Sequence, residues 1–288
     1  MKRSDCLKRS RGRLSPALSG VIILIEHLRR PVSGTGVMIS PVGLGTVKLG
    51  RNQQLKYPEA FRIPDDREAA NLLAQARELG INLLDTAPAY GSSEERLGHL
   101  IAGHRASWVI CTKVGEEFEK GESRFDFTPE HLRFSIERSL KRLKTDYLDI
   151  VLVHSSGDDV DIIRRYGCLD VLAELKRDGL VRASGMSTKT VDGGILALEQ
   201  SDCAMVTWNI NEQGEREVLD YARDHDKAIL VKKALASGHL CSGREDPVAA
   251  CMDFVFSHAG VSAAVLGTIN SDHLRHNVRV VLQALGNL

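Results

Sequence analysis

Four side chains with complementary proton chemistry stand at corresponding places along this chain. Asp85 and Tyr90, an acid and a phenol, lie five residues apart in Asp85-Thr-Ala-Pro-Ala-Tyr90-Gly, just beyond the apolar run 81–84. The run Val109-Ile110-Cys111-Thr112 gives way to an amine, Lys113, and Ile150-Val151-Leu152-Val153 to an imidazole, His154. Each group thus sits at or just past the carboxyl end of a short β run, where parallel α/β architectures gather ligands and catalytic groups. Together they can move a proton. A phenol titrates at about pH 10 and is a reluctant acid at neutrality, whereas a neighbouring ammonium favours the phenolate and lowers that value. On this reading Tyr90 is the general acid, Lys113 tunes it, Asp85 pairs with Lys113 and fixes it, and His154 orients the oxygen that receives the proton. Singly, each has an ordinary explanation: a loop aromatic, a strand-end charge, a turn acid, a core histidine. Four at successive strand ends do not.

The elements that must carry these groups alternate in type. Residues 36–40 and 41–45 read as a short hairpin leading into a first strand at 42–46. Asp65-Asp66 caps a helix whose buried face is Ala69, Leu72, Leu73, Ala76 and Leu79 and whose stop signal is Gly80. Further strands are expected at 81–84, 108–112, 148–153, 181–185, 204–208, 228–231 and 263–266. Between them, helices open at Ser93-Glu94-Glu95 and at Thr128-Pro129-Glu130, where a threonine cap precedes a first-turn proline. Others follow at 169–177, 192–200, 215–225, 247–257 and 271–285. Eight strand–helix pairs without a linker imply the α/β class and a single (β/α)8 TIM barrel over residues 34–288, not an open doubly wound sheet. No G-x-G-x-x-G follows any strand, which counts against a Rossmann domain.

Composition narrows the function classes. Of the 288 residues, 43% are hydrophobic, enough for a sizeable core, and the net charge is +0. A binder that neutralises phosphates should be basic, so no nucleic-acid partner is expected. The six cysteines are scattered without a C-x-x-C pair or a nearby histidine cluster. They read as core thiols in a reducing cytoplasm, with no metal site. Residues 1–33 stand apart as a basic N-terminal extension, expected to be disordered. It carries Lys2, Arg3, Lys8, Arg9, Arg11 and Arg13 ahead of Val21-Ile22-Ile23-Leu24-Ile25. That apolar run is far short of the roughly 20 residues a membrane span needs, and no small-residue cleavage site follows it. No membrane partner is expected, although an address or membrane-surface helix is the alternative for this segment.

The stretch Asp85-Thr-Ala-Pro-Ala-Tyr-Gly-Ser-Ser-Glu-Glu-Arg-Leu-Gly98 closely resembles the aldo-keto reductase pattern D-T-A-x-x-Y-G-x-S-E-x-x-L-G. Thr112-Lys113-Val114-Gly115 and Leu152-Val153-His154 fall where that family keeps its lysine and histidine. Gly267-Thr268-Ile-Asn-Ser-Asp-His273-Leu274-Arg-His-Asn277 resembles its cofactor loop and final helix. The likeness runs from about residue 36 to the C-terminus. It implies a (β/α)8 barrel, NADPH bound extended at the C-terminal face, with NAD as the alternative, and reduction of an aldehyde or ketone. The same resemblance assigns cofactor contacts to Thr46, Ser187, Thr188, Lys232, Lys233, Leu235, Gly238, Gly267, Thr268, His273 and Asn277.

Several positions depart from the family pattern. Thr188 replaces an asparagine, Met205 stands near the expected glutamine, and Lys232 occupies a position where many members stack an aromatic. The last loop lacks the basic residue some members use for the 2′-phosphate; the start of the final helix could cradle phosphate instead, with Arg275 and His273 as charge partners. The sequence ends directly after the last expected helix, without the long C-terminal loop of many members. An open pocket for small or polar carbonyls, on a monomer or weak homo-oligomer, is the resulting expectation. The alternatives are an NADPH-binding regulatory barrel with little turnover and a lyase or hydrolase using Lys113 as a Schiff-base nucleophile.

Overall fold

The computed structural model describes residues 25–55, 57–239 and 245–286. Eight strands close into a barrel: β1 (Val42–Gly45), β2 (Leu83–Asp85), β3 (Val109–Val114), β4 (Leu148–His154), β5 (Val181–Ser187), β6 (Cys203–Thr207), β7 (Ala228–Lys232) and β8 (Ala263–Leu266). Every pairing is parallel and joins neighbours in sequence, with β8 returning to β1 through Ala264–Val42 and Leu266–Leu44. Strand side chains alternate between two faces. Leu83, Val109, Cys111, Ile150, Leu152, Ala183, Met205 and Leu230 therefore fill the interior. Leu84, Ile110, Val151, Val153, Ala204, Val206, Ile229 and Val231 point outward into the helical layer. Burial on both faces is why these strands read as continuous apolar runs.

The helices begin where their caps say they should. Asp65 and Glu68 form a reciprocal capping box at the start of Asp66–Glu78. Thr128 caps Pro129–Leu143, which stops at Lys144 in the left-handed region. The N-terminal end of the barrel is closed by an antiparallel pair, Arg30–Val32 with Val37–Ile39. Its Val32, Val37 and Ile39 join the interior cluster, and Asn82 ties it down through Ser40 N (2.7 Å) and the Met38 carbonyl (2.8 Å).

Four expectations need correction. The opening hairpin pairs 37–39 with 30–32, not with 41–45; Pro31 hid the first strand. Residues 25–33 are not a disordered extension: Ile25 is fully buried, Val32 sits in the interior core, and Arg30 NH1 donates to the Val261 carbonyl. Residues 1–24 lie outside the described residues. A second antiparallel hairpin, Glu116–Glu119 with Glu122–Phe125, follows β3 where only a connection was expected. The acidic stretch after His154 carries a helix, Asp159–Tyr166, before the expected one, now Cys168–Arg177. Among the described residues, no helix is long and apolar enough to cross a membrane.

Candidate active site

The motif that announced the site is first a set of packing constraints. Asp85 ends β2, and the chain then makes a tight turn over Pro88–Tyr90. Gly91 has φ +61, and a Cβ there would lie 2.2 Å from the Gly50 carbonyl oxygen. Only glycine admits that backbone contact, which seats Tyr90 beside the short helix Val47–Gly50. Ser93 Oγ lies within hydrogen-bond distance of Thr46 Oγ1 (2.8 Å) and Thr86 Oγ1 (3.1 Å). Glu94, fully buried, accepts from Thr112 Oγ1 at 2.7 Å and so fastens helix Ser93–Leu100 to β3. At Gly98 a Cβ would meet the Arg142 carbonyl oxygen at 2.0 Å, because this helix presses directly on Pro129–Leu143.

These constraints bring the four predicted groups together. Lys113, the largest fully buried side chain, donates from Nζ to Asp85 Oδ1 at 2.6 Å and to the Thr86 carbonyl at 2.8 Å. The same nitrogen lies 4.6 Å from the centroid of the Tyr90 ring. Burial works against the lysine charge, but Asp85 and Tyr90 outweigh it and Lys113 is held above its ordinary pKa. Tyr90 differs from expectation. Burial and the Asp85 charge push its phenol up, and the opposing pull of Lys113 does not reverse this. The ammonium restrains the rise; it does not produce an acidic phenol in the free protein.

His154 ends β4 with Nδ1 2.7 Å from Glu116 Oε2, close by distance but outside hydrogen-bond geometry in this ring orientation. Burial lowers the imidazole pKa against the raising influence of Glu116, and Lys113 and Lys232 lower it further. Glu116 resists its own burial and is held at about 2 by His154, Ser123 and Arg51. Sequence reasoning missed Glu116, although one signal was available. Lys120 and Gly121 both take positive φ, the signature of a two-residue hairpin turn, and Lys-Gly stands between two charged tetrads.

The expected cofactor positions are scattered along the opposite rim. Lys232 Nζ donates to Ser187 Oγ (2.9 Å) and to the Thr188 carbonyl (2.6 Å), which joins the ends of β5 and β7. Burial brings its pKa down to about 8. Thr188 Oγ1 is turned away to Glu215 Oε1 at 3.2 Å. Lys233 is exposed, Leu235 half-buried, and Gly238 has φ +94. Thr46 is fully buried with its hydroxyl spent on the Asp85 carbonyl (2.8 Å) and Ser93. Asn277 packs on the buried face of helix Ser271–Ala284, and Thr268 accepts from Asn270 N at 3.1 Å. His273 is exposed, but its amide and that of Asp272 are already capped by the Asn270 side chain. Tyr57, also missed, reaches this rim: its Oη lies 3.1 Å from where a Gly267 Cβ would stand. Lys48 Nζ lies 3.9 Å from the Tyr57 ring centroid.

Known proteins resemble this chain in sequence and fold. A Pseudomonas aeruginosa protein assigned to the aldo-keto reductases, solved by crystallography, superposes with a TM-score of 0.83 at 56% identity, covering 91% of this chain and 96% of that one. The aldo-keto reductase YhdN of Bacillus subtilis is 30% identical over 73% of this chain and 62% of its own length. The NADH-specific methylglyoxal reductase of Escherichia coli is 30% identical over 73% of this chain and 68% of its own length. The match therefore spans less than two thirds of the Bacillus relative. The family profile itself matches residues 41–247, from β1 to the start of helix Pro247–Phe256. The chain belongs to the aldo/keto reductase family.

Proposed function

We propose that the protein is a nicotinamide-dependent oxidoreductase that reduces a small or polar aldehyde or ketone, with Tyr90 as general acid and NADPH as the preferred reductant. The buried Lys113–Asp85 pair, 2.6 Å apart with Nζ at 4.6 Å from the Tyr90 ring centroid, carries this reading. Ser187, Lys232, Lys233, Gly238 and Gly267 would hold the cofactor. The donor set fits a dinucleotide: an ammonium and a hydroxyl stand at the inner rim, and Gly267 is exposed without a side chain to obstruct a close approach. The reduced nicotinamide, when bound, supplies the hydride and its electron pair.

The remaining chemistry belongs to the chain. As the carbonyl π pair moves onto oxygen, that oxygen requires a proton and a positive environment. Tyr90 keeps its proton at neutral pH because burial and Asp85 hold its pKa up. An alkoxide is a stronger base than a phenolate, so the proton passes from Tyr90 Oη to the substrate oxygen. Lys113, kept charged by Asp85, then stabilises the phenolate until solvent returns a proton. The same ion pair speaks against Lys113 as a Schiff-base nucleophile, since its amine is held protonated. The buried free thiols Cys111, Cys168 and Cys203 accord with a cytoplasmic setting.

The test is a panel of aldehydes and ketones supplied with NADPH or NADH and followed by loss of reduced-nicotinamide absorbance. Turnover of at least one small carbonyl is the expected result. Tight cofactor binding with no turnover across the panel would instead identify a cofactor-sensing barrel. The turnover of the panel with each reductant decides between NADPH and NADH.

A further inference from the structure

A carboxylate outside the family's four-residue set reaches the reaction centre from the unexpected hairpin. Gly115, the first residue after β3, has φ +98, and a Cβ there would meet the Phe127 ring at 2.6 Å. The chain therefore leaves the barrel at a bend that favours glycine and returns as Glu116–Glu119. Glu116 Oε1 accepts from Ser123 Oγ at 2.7 Å across the hairpin, which leaves Oε2 against His154 Nδ1. The hairpin is anchored in turn: the Arg51 guanidinium lies 3.3 Å from the Phe118 ring centroid and donates to the Ala89 carbonyl at 3.1 Å, next to Tyr90. On His154, Nδ1 is fully enclosed 2.7 Å from Glu116 Oε2 but unbonded in this ring orientation, and Nε2 likewise has no hydrogen-bond partner among the described residues.

We propose that Glu116 is a positioning residue that keeps the proton of neutral His154 on Nδ1, so that Nε2 meets the reacting oxygen as an acceptor when the ring is neutral and as a donor only when the ring is protonated. A carboxylate cannot donate, so a neutral imidazole facing it is best satisfied by placing N–H on that side. Catalytic hydrogen bonds of this kind are often poorly aligned before substrate binds. A neutral His154 then accepts from the hydroxyl of an alcohol substrate, and an imidazolium donates to a carbonyl oxygen. Protonation of one ring biases the site between oxidation and reduction. The charged groups bearing on it are Glu116 from the hairpin, Lys113 from β3 and Lys232 from β7. Among these, Glu116 favours the cation.

The directional consequence rests on the proposed oxidoreductase reading; the tautomer does not, and the two are tested separately. Nitrogen-15 spectra of histidine-labelled protein, with the His154 signals assigned by their loss in His154→Gln, read the tautomer in the unliganded wild type. The expected result is an Nδ1–H neutral form, with the imidazolium titration falling by about one pH unit in Glu116→Gln. Kinetically, carbonyl reduction at neutral pH should fall about tenfold in that variant, alcohol oxidation should change less than threefold, and the apparent KM for cofactor should hold. The reduction profile should shift to lower pH. An Nε2–H tautomer in the wild type, or a titration and profile unmoved in Glu116→Gln, would overturn the proposal. If the tautomer is found as expected but no carbonyl or alcohol is turned over, the assigned reaction fails and the role of Glu116 toward His154 stands.

Discussion

The two halves of the barrel mouth are built differently. On the β2–β4 side, Asp85, Lys113 and His154 are strand residues, and Tyr90 is locked by backbone contact between Gly91 and Gly50. On the β5–β8 side, Ser187 and Lys232 end strands while Thr188, Lys233, Leu235, Gly267 and Thr268 lie beyond strand ends, and several side chains are already engaged: Lys232 with Ser187, Thr188 with Glu215, Thr268 with Asn270. Proton transfer tolerates little displacement, so the groups proposed for it gain from standing on or beside rigid strands. A long cofactor can be gripped at many points, and its loops can vary without losing the grip. The compact motif lies in the first half, and the departures from the family pattern at Thr188, Met205 and Lys232 lie in the second.

Substitutions can break this contrast. Lys113→Met should have the largest effect, with kcat for carbonyl reduction falling on the order of 10²-fold or more and cofactor affinity preserved. A Lys232→Met loss in kcat of equal size would mean that the wrong lysine has been placed in the proton step. Gly98→Ala forces a Cβ to 2.0 Å from the Arg142 carbonyl. It should destabilise the fold by about 1–3 kcal/mol, readable as a lower denaturant midpoint. Gly121→Ala, with nothing within 4 Å of its Cβ, tests the positive φ alone and should cost less. Lys232→Met should raise the apparent KM for cofactor several-fold. In the wild type that affinity should weaken as pH rises through about 8, because the half-buried lysine carries its charge below that value and loses it above; the variant should lack the dependence. Deleting residues 1–33 removes buried Ile25 and Val32 and should lower the melting temperature by several degrees.

Legibility followed the same divide. Every barrel strand was readable because burial on both faces leaves a run such as Ile150-Val151-Leu152-Val153 in plain view. The strand ends then located Lys113 and His154 with no knowledge of the tertiary fold. The hairpin after β3 has no buried face and was not readable. Glu116–Glu119 and Glu122–Phe125 are mainly half-buried or exposed and charged, so no alternation marks them. Helix Asp159–Tyr166 starts on acids that resemble a loop, although Asp159 is buried and accepts from the Lys189 and Thr190 amides at 2.8 Å. The direction of the Tyr90 shift was misjudged for a related reason: spacing revealed the ammonium beside the phenol, while the opposing cost of burial appears only when the groups are enclosed.

Tyr90→Phe tests the central claim most directly, because it removes one hydroxyl and little packing. Single-turnover hydride transfer from prebound NADPH should be compared with the wild type, using a carbonyl the wild type reduces, and NADPH affinity should be measured by titration on the same samples. The predicted result is a fall in the transfer rate of roughly 10²–10⁴-fold, with affinity within a few-fold of the wild type. A variant that keeps most of its transfer rate would show that Tyr90 is not the acid and would contradict the mechanism.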